Sequence, residues 1–92
     1  MEVVLEESGN KGVFVGKSED KEAGRMTFVW AGEDKFIIDH TEVSEDFRGQ
    51  DVGKILVLKA VDYARENHKK IMSLCPFAKS VFDKNAELRD VL

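Results

Sequence analysis

A chain of 92 residues has room for a single domain, residues 1–92, and one modest core, because folding at this size buries only about two-thirds of the chain's surface. Fourteen Lys and Arg against eighteen Asp and Glu leave a formal charge of −4, so there is no basic field to hold a nucleic-acid backbone. One cysteine, Cys75, excludes an internal disulfide and any multi-cysteine metal site, and the apolar runs are far too short to span a bilayer.

The N-terminus has no basic segment or small-residue cleavage site, so a cytoplasmic protein without membrane contact is expected, as a monomer or weak dimer with no metal. Val3 to Glu6 and Val13 to Gly16 flank a turn cluster from Ser8 to Gly12 and read as a hairpin. After a polar turn, Met26, Phe28 and Trp30 alternate with Arg25, Thr27 and Val29, the period-two pattern of a strand covered mainly on one face. A turn at Ala31 to Asp34 leads into a strand from Phe36 to Val43, with Phe36, Ile38 and His40 in one phase and Ile37, Asp39, Thr41 and Val43 in the other.

From Val52 to Asn67 the period becomes helical, with Leu56, Val57, Ala60, Val61 and Ala64 on one face. Ile71 to Cys75 is expected as a short buried strand, stopped by Pro76, which cannot donate to a sheet ladder. Pro76 also suits the first turn of a second helix over Phe77 to Asp83, and one further helical turn is expected in Asn85 to Leu92. The pattern gives an α+β fold with a mixed central sheet, a βαβ unit from Phe36 to Cys75, and two main helices. In such a unit, Val43, the helix start and Cys75 share one end of the sheet, where ligands of α/β units usually bind.

That end carries the informative stretch, Val43-Ser44-Glu45-Asp46-Phe47-Arg48-Gly49-Gln50-Asp51-Val52-Gly53-Lys54-Ile55. A glycine-bearing turn before a helix leaves backbone N–H groups unpaired, and the helix dipole favours negative charge there. A pyrophosphate fits such a turn, with Arg48 supplying forked hydrogen bonds and Lys54 a point charge. Taken alone, the pattern is weak, because most such turns only cap helices.

The same string resembles motif A of the GCN5-related N-acetyltransferases (GNAT), Gln/Arg-x-x-Gly-x-Gly/Ala after a strand ending in Val, with Arg48, Val52 and Gly53 in register. Ile38-Asp39-His40-Thr41-Glu42-Val43 upstream and Ser73-Leu74-Cys75-Pro76-Phe77-Ala78 downstream are similar to two other marks of the minimal single-domain branch, often labelled YjdJ-type. One residue departs: Asp51 stands where the family has its middle glycine. A carboxylate is unfavourable beside phosphate, although Asp is also a good helix N-cap.

The resemblance implies a GNAT-like fold that binds acetyl-coenzyme A (acetyl-CoA) and transfers the acetyl group to an amine acceptor, small molecule or protein side chain. It implies a diphosphate site at Arg48, Gly49, Gln50, Asp51, Val52, Gly53 and Lys54, and a pantetheine arm along Thr41, Glu42 and Val43. In that branch, a histidine and a cysteine at the places of His40 and Cys75 are proposed as catalytic. Chemically, a thiolate attacks thioesters well and histidine is a suitable base. Direct attack by the amine, with His40 or Glu42 taking its proton, is the other route. Three bland readings stand beside these: a packed Cys75 and a hydrogen-bonded core His40; a non-catalytic acyl-CoA-binding module; and an interaction domain that has lost CoA binding through Asp51.

Overall fold

A computed structural model describes all residues 1–92. Four strands, β1 (Glu2–Ser8), β2 (Lys11–Ser18), β3 (Lys21–Trp30) and β4 (Lys35–Val43), precede α1 (Val52–Glu66), β5 (Lys70–Ser73) and α2 (Pro76–Lys84). Short 3-10 turns occupy Glu45–Phe47 and Ala86–Val91. The sheet runs β1-β2-β3-β4-β5, with β1 to β4 an antiparallel meander and β5 parallel to β4.

The hairpin strands are longer than hydrophobic periodicity predicts, because the turns between them are tight. Ser8 pairs with Lys11 around a two-residue loop, and Ser18 with Lys21 around Glu19 and Asp20, both at positive φ as a primed turn requires. Ladder hydrogen bonds therefore extend pairing into residues whose polarity reads as loop.

Both helices lie on one face of the sheet. Val52, Leu56, Val57, Ala60, Val61 and Ala64 of α1 and Ala78, Val81 and Phe82 of α2 form a single buried cluster with Phe14, Met26, Phe28, Phe36, Ile38 and Ile71. Aromatic rings fill one end of it: Phe28 and Phe36 lie 4.9 Å apart between centroids, and Tyr63 of α1 stands edge-on to Phe14 at 5.9 Å. Such tilted and edge-to-face pairs add to the burial term. Arg65 clamps the C-terminal turn through Asp90 at 2.6 Å and the Glu87 carbonyl at 2.8 Å. No helix is long and apolar enough to cross a membrane.

Two features of β4 depart from its sequence pattern and shape the site. First, pairing with β3 passes from Phe28↔Ile38 to Thr27↔His40, so Asp39 is an extra, bulged residue, with its carboxylate accepting from the Thr27 hydroxyl. A bulge reverses the alternation beyond it. Thr41, not His40, therefore continues the inward face of Phe36 and Ile38. Second, β5 pairs with β4 only over Lys35 to Ile38, and one further bond runs from the Leu74 N–H to the Ile38 carbonyl. The predicted strand to Cys75 is thus too long by two residues. Pro76 opens α2 at once, making Cys75 the residue that precedes its first turn and turning the chain out of the sheet. From Asp39 to Val43, β4 has a partner on its β3 side alone.

Candidate functional site

Between the end of β4 and the N-terminal end of α1 lies a cleft of about 260 Å³, lined by Val43, Phe47, Arg48, Gly49, Asp51, Val52, Gly53, Lys54 and Phe77. The sequence explains its shape. The 3-10 turn ends at Arg48, whose N–H bonds the Glu45 carbonyl at 3.2 Å; Gly49 then takes φ +82, a conformation open to glycine, and Asp51 follows at φ +57. The first bond of α1 runs from the Ile55 N–H to the Asp51 carbonyl at 3.0 Å. The N–H groups of Gly49, Asp51, Val52, Gly53 and Lys54 consequently have no backbone acceptor. Five unpaired donors, a helix dipole and the exposed Arg48 and Lys54 make a fitting seat for an anionic group.

Close approach of helix to sheet is built in by glycine. A Cβ on Gly24 would sit 2.7 Å from the Glu42 carbonyl oxygen and 2.9 Å from Val52, and one on Gly53 would sit 2.5 Å from the Phe77 ring. Gly24 thus lets the first turn of α1 rest on the ends of β3 and β4. Gly53 lets Phe77 of α2 lie across it.

Of the residues expected at the phosphate site, Arg48, Gly49, Asp51, Val52, Gly53 and Lys54 line the cleft, and Val43 with them; Gln50, Thr41 and Glu42 do not. Gln50 is exposed, with its N–H on the Phe47 carbonyl at 3.3 Å. Phe47 and Phe77 are lining residues that sequence reading missed. Phe77 reads as core from its apolarity, yet it is 43% exposed, because the register of α2 buries Ala78, Val81 and Phe82 instead. Nor is Asp51 a capping residue: its left-handed backbone leaves the carboxylate without a hydrogen bond to the helix.

His40 and Cys75 are brought to the same end of the sheet but not into contact. Cys75 is buried, and its thiol donates to the Thr41 hydroxyl at 3.4 Å across the gap between β4 and α2. His40 lies on the opposite face, where its Nε2 is 3.0 Å from Glu42 Oε1 and both side chains are more than 60% exposed. The core-histidine reading is therefore overturned by the bulge at Asp39, which sends His40 outward.

The profile of a family described as GCN5-related N-acetyl-transferase matches residues 13–91. The chain belongs to that family. Among solved structures, a GCN5-like protein of the N-acetyltransferase type from Staphylococcus aureus is 35% identical, with a TM-score of 0.70 over 96% of this chain and 85% of that one. A ribosomal-protein-alanine N-acetyltransferase from Brucella melitensis shares the fold at 18% identity, TM-score 0.72, over 84% of this chain and 62% of its own. A GNAT family acetyltransferase from Elizabethkingia anophelis with acetyl-CoA bound shares it at 17% identity, TM-score 0.62, over 70% of this chain and 42% of its own. The chain thus spans under two-thirds of the larger GNAT enzymes it resembles in fold. Among curated protein sequences none matches it.

Proposed function

We propose that this GNAT protein is an acetyl-CoA-dependent N-acetyltransferase whose cleft at Arg48 to Lys54 holds the diphosphate of the donor. The observation that carries the reading is the row of unpaired N–H groups at the start of α1, flanked by Arg48 and Lys54 in a cleft that Val43, the last residue of β4, also lines. Bound acetyl-CoA would supply an activated acetyl thioester. The edge of β4 beyond Ile38 has no strand on its β5 side, and the backbone groups in the Thr41 to Val43 stretch that point to that side are available to the amide-bearing pantetheine arm.

The chain's own catalytic contribution is proton transfer. With Nε2–H donated to Glu42, neutral His40 keeps its Nδ1 lone pair free for the ammonium proton an amine must lose before it attacks. Glu42 then stabilises the imidazolium by ion pairing. The separation of His40 from Cys75 favours direct attack by the amine over a cysteine-bound intermediate, because the Cys75 thiol is held by Thr41 on the other face. The open, solvent-facing position of His40 suits an acceptor presented from outside the molecule, a protein side chain or a small amine.

The test is acetyl transfer from acetyl-CoA to a panel of amines, followed by release of free thiol. His40→Ala is expected to slow transfer by about 10²- to 10⁴-fold, the usual contribution of a general base, while CoA still binds. Cys75→Ala is expected to retain transfer. Loss of transfer in Cys75→Ala with unchanged stability would return the cysteine-bound route. Absence of CoA binding would leave an interaction domain, and binding without turnover an acyl-CoA-binding module.

A further inference from the structure

Asp51 presents a carboxylate to a cleft otherwise equipped for anions. Its φ of +57 is a backbone conformation that glycine adopts without cost and side-chain-bearing residues adopt reluctantly. The carboxylate makes no hydrogen bond to the helix whose first carbonyl Asp51 provides, and no cation pairs with it. It therefore lacks the capping hydrogen bond by which an aspartate ordinarily stabilises a helix start. Asp51 instead lines the same cleft as Gly49, Val52 and Gly53 and the cations Arg48 and Lys54. At the positive end of a helix, its negative charge competes with any other anion for the same field.

We propose that Asp51 is a specificity-determining residue that keeps the cleft's grip on phosphate weak, so that the phosphate-bearing product CoA leaves quickly and donor affinity is set mainly by the pantetheine arm. The inference rests on the donor reading above and concerns how that site is tuned. Its sign follows from Coulomb's law: a carboxylate beside a diphosphate repels it, and at the partly solvated mouth of a cleft the effect corresponds to about tenfold in affinity.

Asp51→Asn is the decisive variant, since asparagine tolerates the left-handed backbone and removes only the charge. Binding of acetyl-CoA, CoA and acetyl-pantetheine would be measured by calorimetry, and CoA release by stopped-flow displacement. The expected result is about tenfold tighter binding of both CoA species, with a matching fall in the CoA dissociation rate and no change for acetyl-pantetheine, which carries no phosphate. In steady state KM for acetyl-CoA should fall by a similar factor. Asp51→Gly, which also relieves the backbone, should show the same pattern. CoA binding that is unchanged or weaker in both variants, while the wild type binds, would overturn the proposal and leave the donor reading standing. An equal gain for acetyl-pantetheine would also overturn it, because the effect would then not act through phosphate. If neither wild type nor variants bind CoA, the donor reading itself falls.

Discussion

Gly24 packs directly against the backbone of β4, and Gly24→Ala tests whether the cleft depends on that contact. The new methyl group would stand 2.7 Å from the Glu42 carbonyl oxygen, 2.9 Å from Val52 Cγ1 and 3.4 Å from Val43 Cα. Two of these neighbours are backbone of β4, held by its ladder with β3, and the third is a side chain in the first turn of α1, so none can swing away cheaply. Overpacking of this kind costs about 1–3 kcal/mol. Replacing glycine also restricts the unfolded chain, which returns about 0.4–1 kcal/mol. The net expectation is a loss of about 1–2 kcal/mol, which for a domain of this size lowers Tm by about 5–15 °C. Thermal and urea unfolding would measure it, and coenzyme A should stabilise the variant less than the wild type because the displaced strand end and helix start form the cleft wall. A Gly24→Ala variant as stable as the wild type would show that α1 does not sit on β3 and β4 as described.

Gly53→Ala offers a contrast: its obstacle is the half-exposed Phe77 ring, which can rotate outward, and alanine favours a helix over glycine by about 1 kcal/mol, so stability should be nearly unchanged while the cleft is reshaped and CoA binding weakens. Binding calorimetry on a variant of unaltered Tm checks this. Arg48→Ala should leave the fold intact, since Arg48 is exposed, and should reduce the Tm rise produced by CoA, which for the wild type corresponds to about 2.7 kcal/mol at a hundredfold excess over Kd. The Arg65 guanidinium bonded to Asp90 holds that carboxyl below the usual aspartate range. A depressed folded value means the pair stabilises the fold above the ordinary aspartate pKa, about 3.9, and that the benefit disappears as pH falls through the lower folded value. Asp90→Asn should accordingly lower Tm at pH 7 and converge with the wild type in acid. A difference in Tm that persists unchanged to low pH would refute the linkage.

Much of the architecture is legible in the sequence. The helical spacing of Leu56, Val57, Ala60, Val61 and Ala64 fixes a buried face, because a regular helix leaves those side chains no other arrangement. The interval from Phe36 to Ile71 is long enough for a crossover and too long for a hairpin, which makes β4 and β5 parallel. Gly49 and Gly53 around a helix start mark a run of N–H groups without backbone acceptors, since those orphan groups follow from backbone geometry alone.

What the sequence could not show depends on contacts between segments distant along the chain. The bulge at Asp39 arises from the register β4 takes against β3, which no local pattern encodes, and it exchanges the faces of His40 and Thr41. Phe77 lines a cleft rather than the core because Gly53 on another helix leaves room for its ring. Asp51 looks like a cap by residue type, but a left-handed backbone directs its carboxylate away from that task. Periodicity and spacing specify which elements form and which faces they bury; which side chains meet at the site is decided by register and by interhelical fit, whose energies come from partners that the linear order does not bring together.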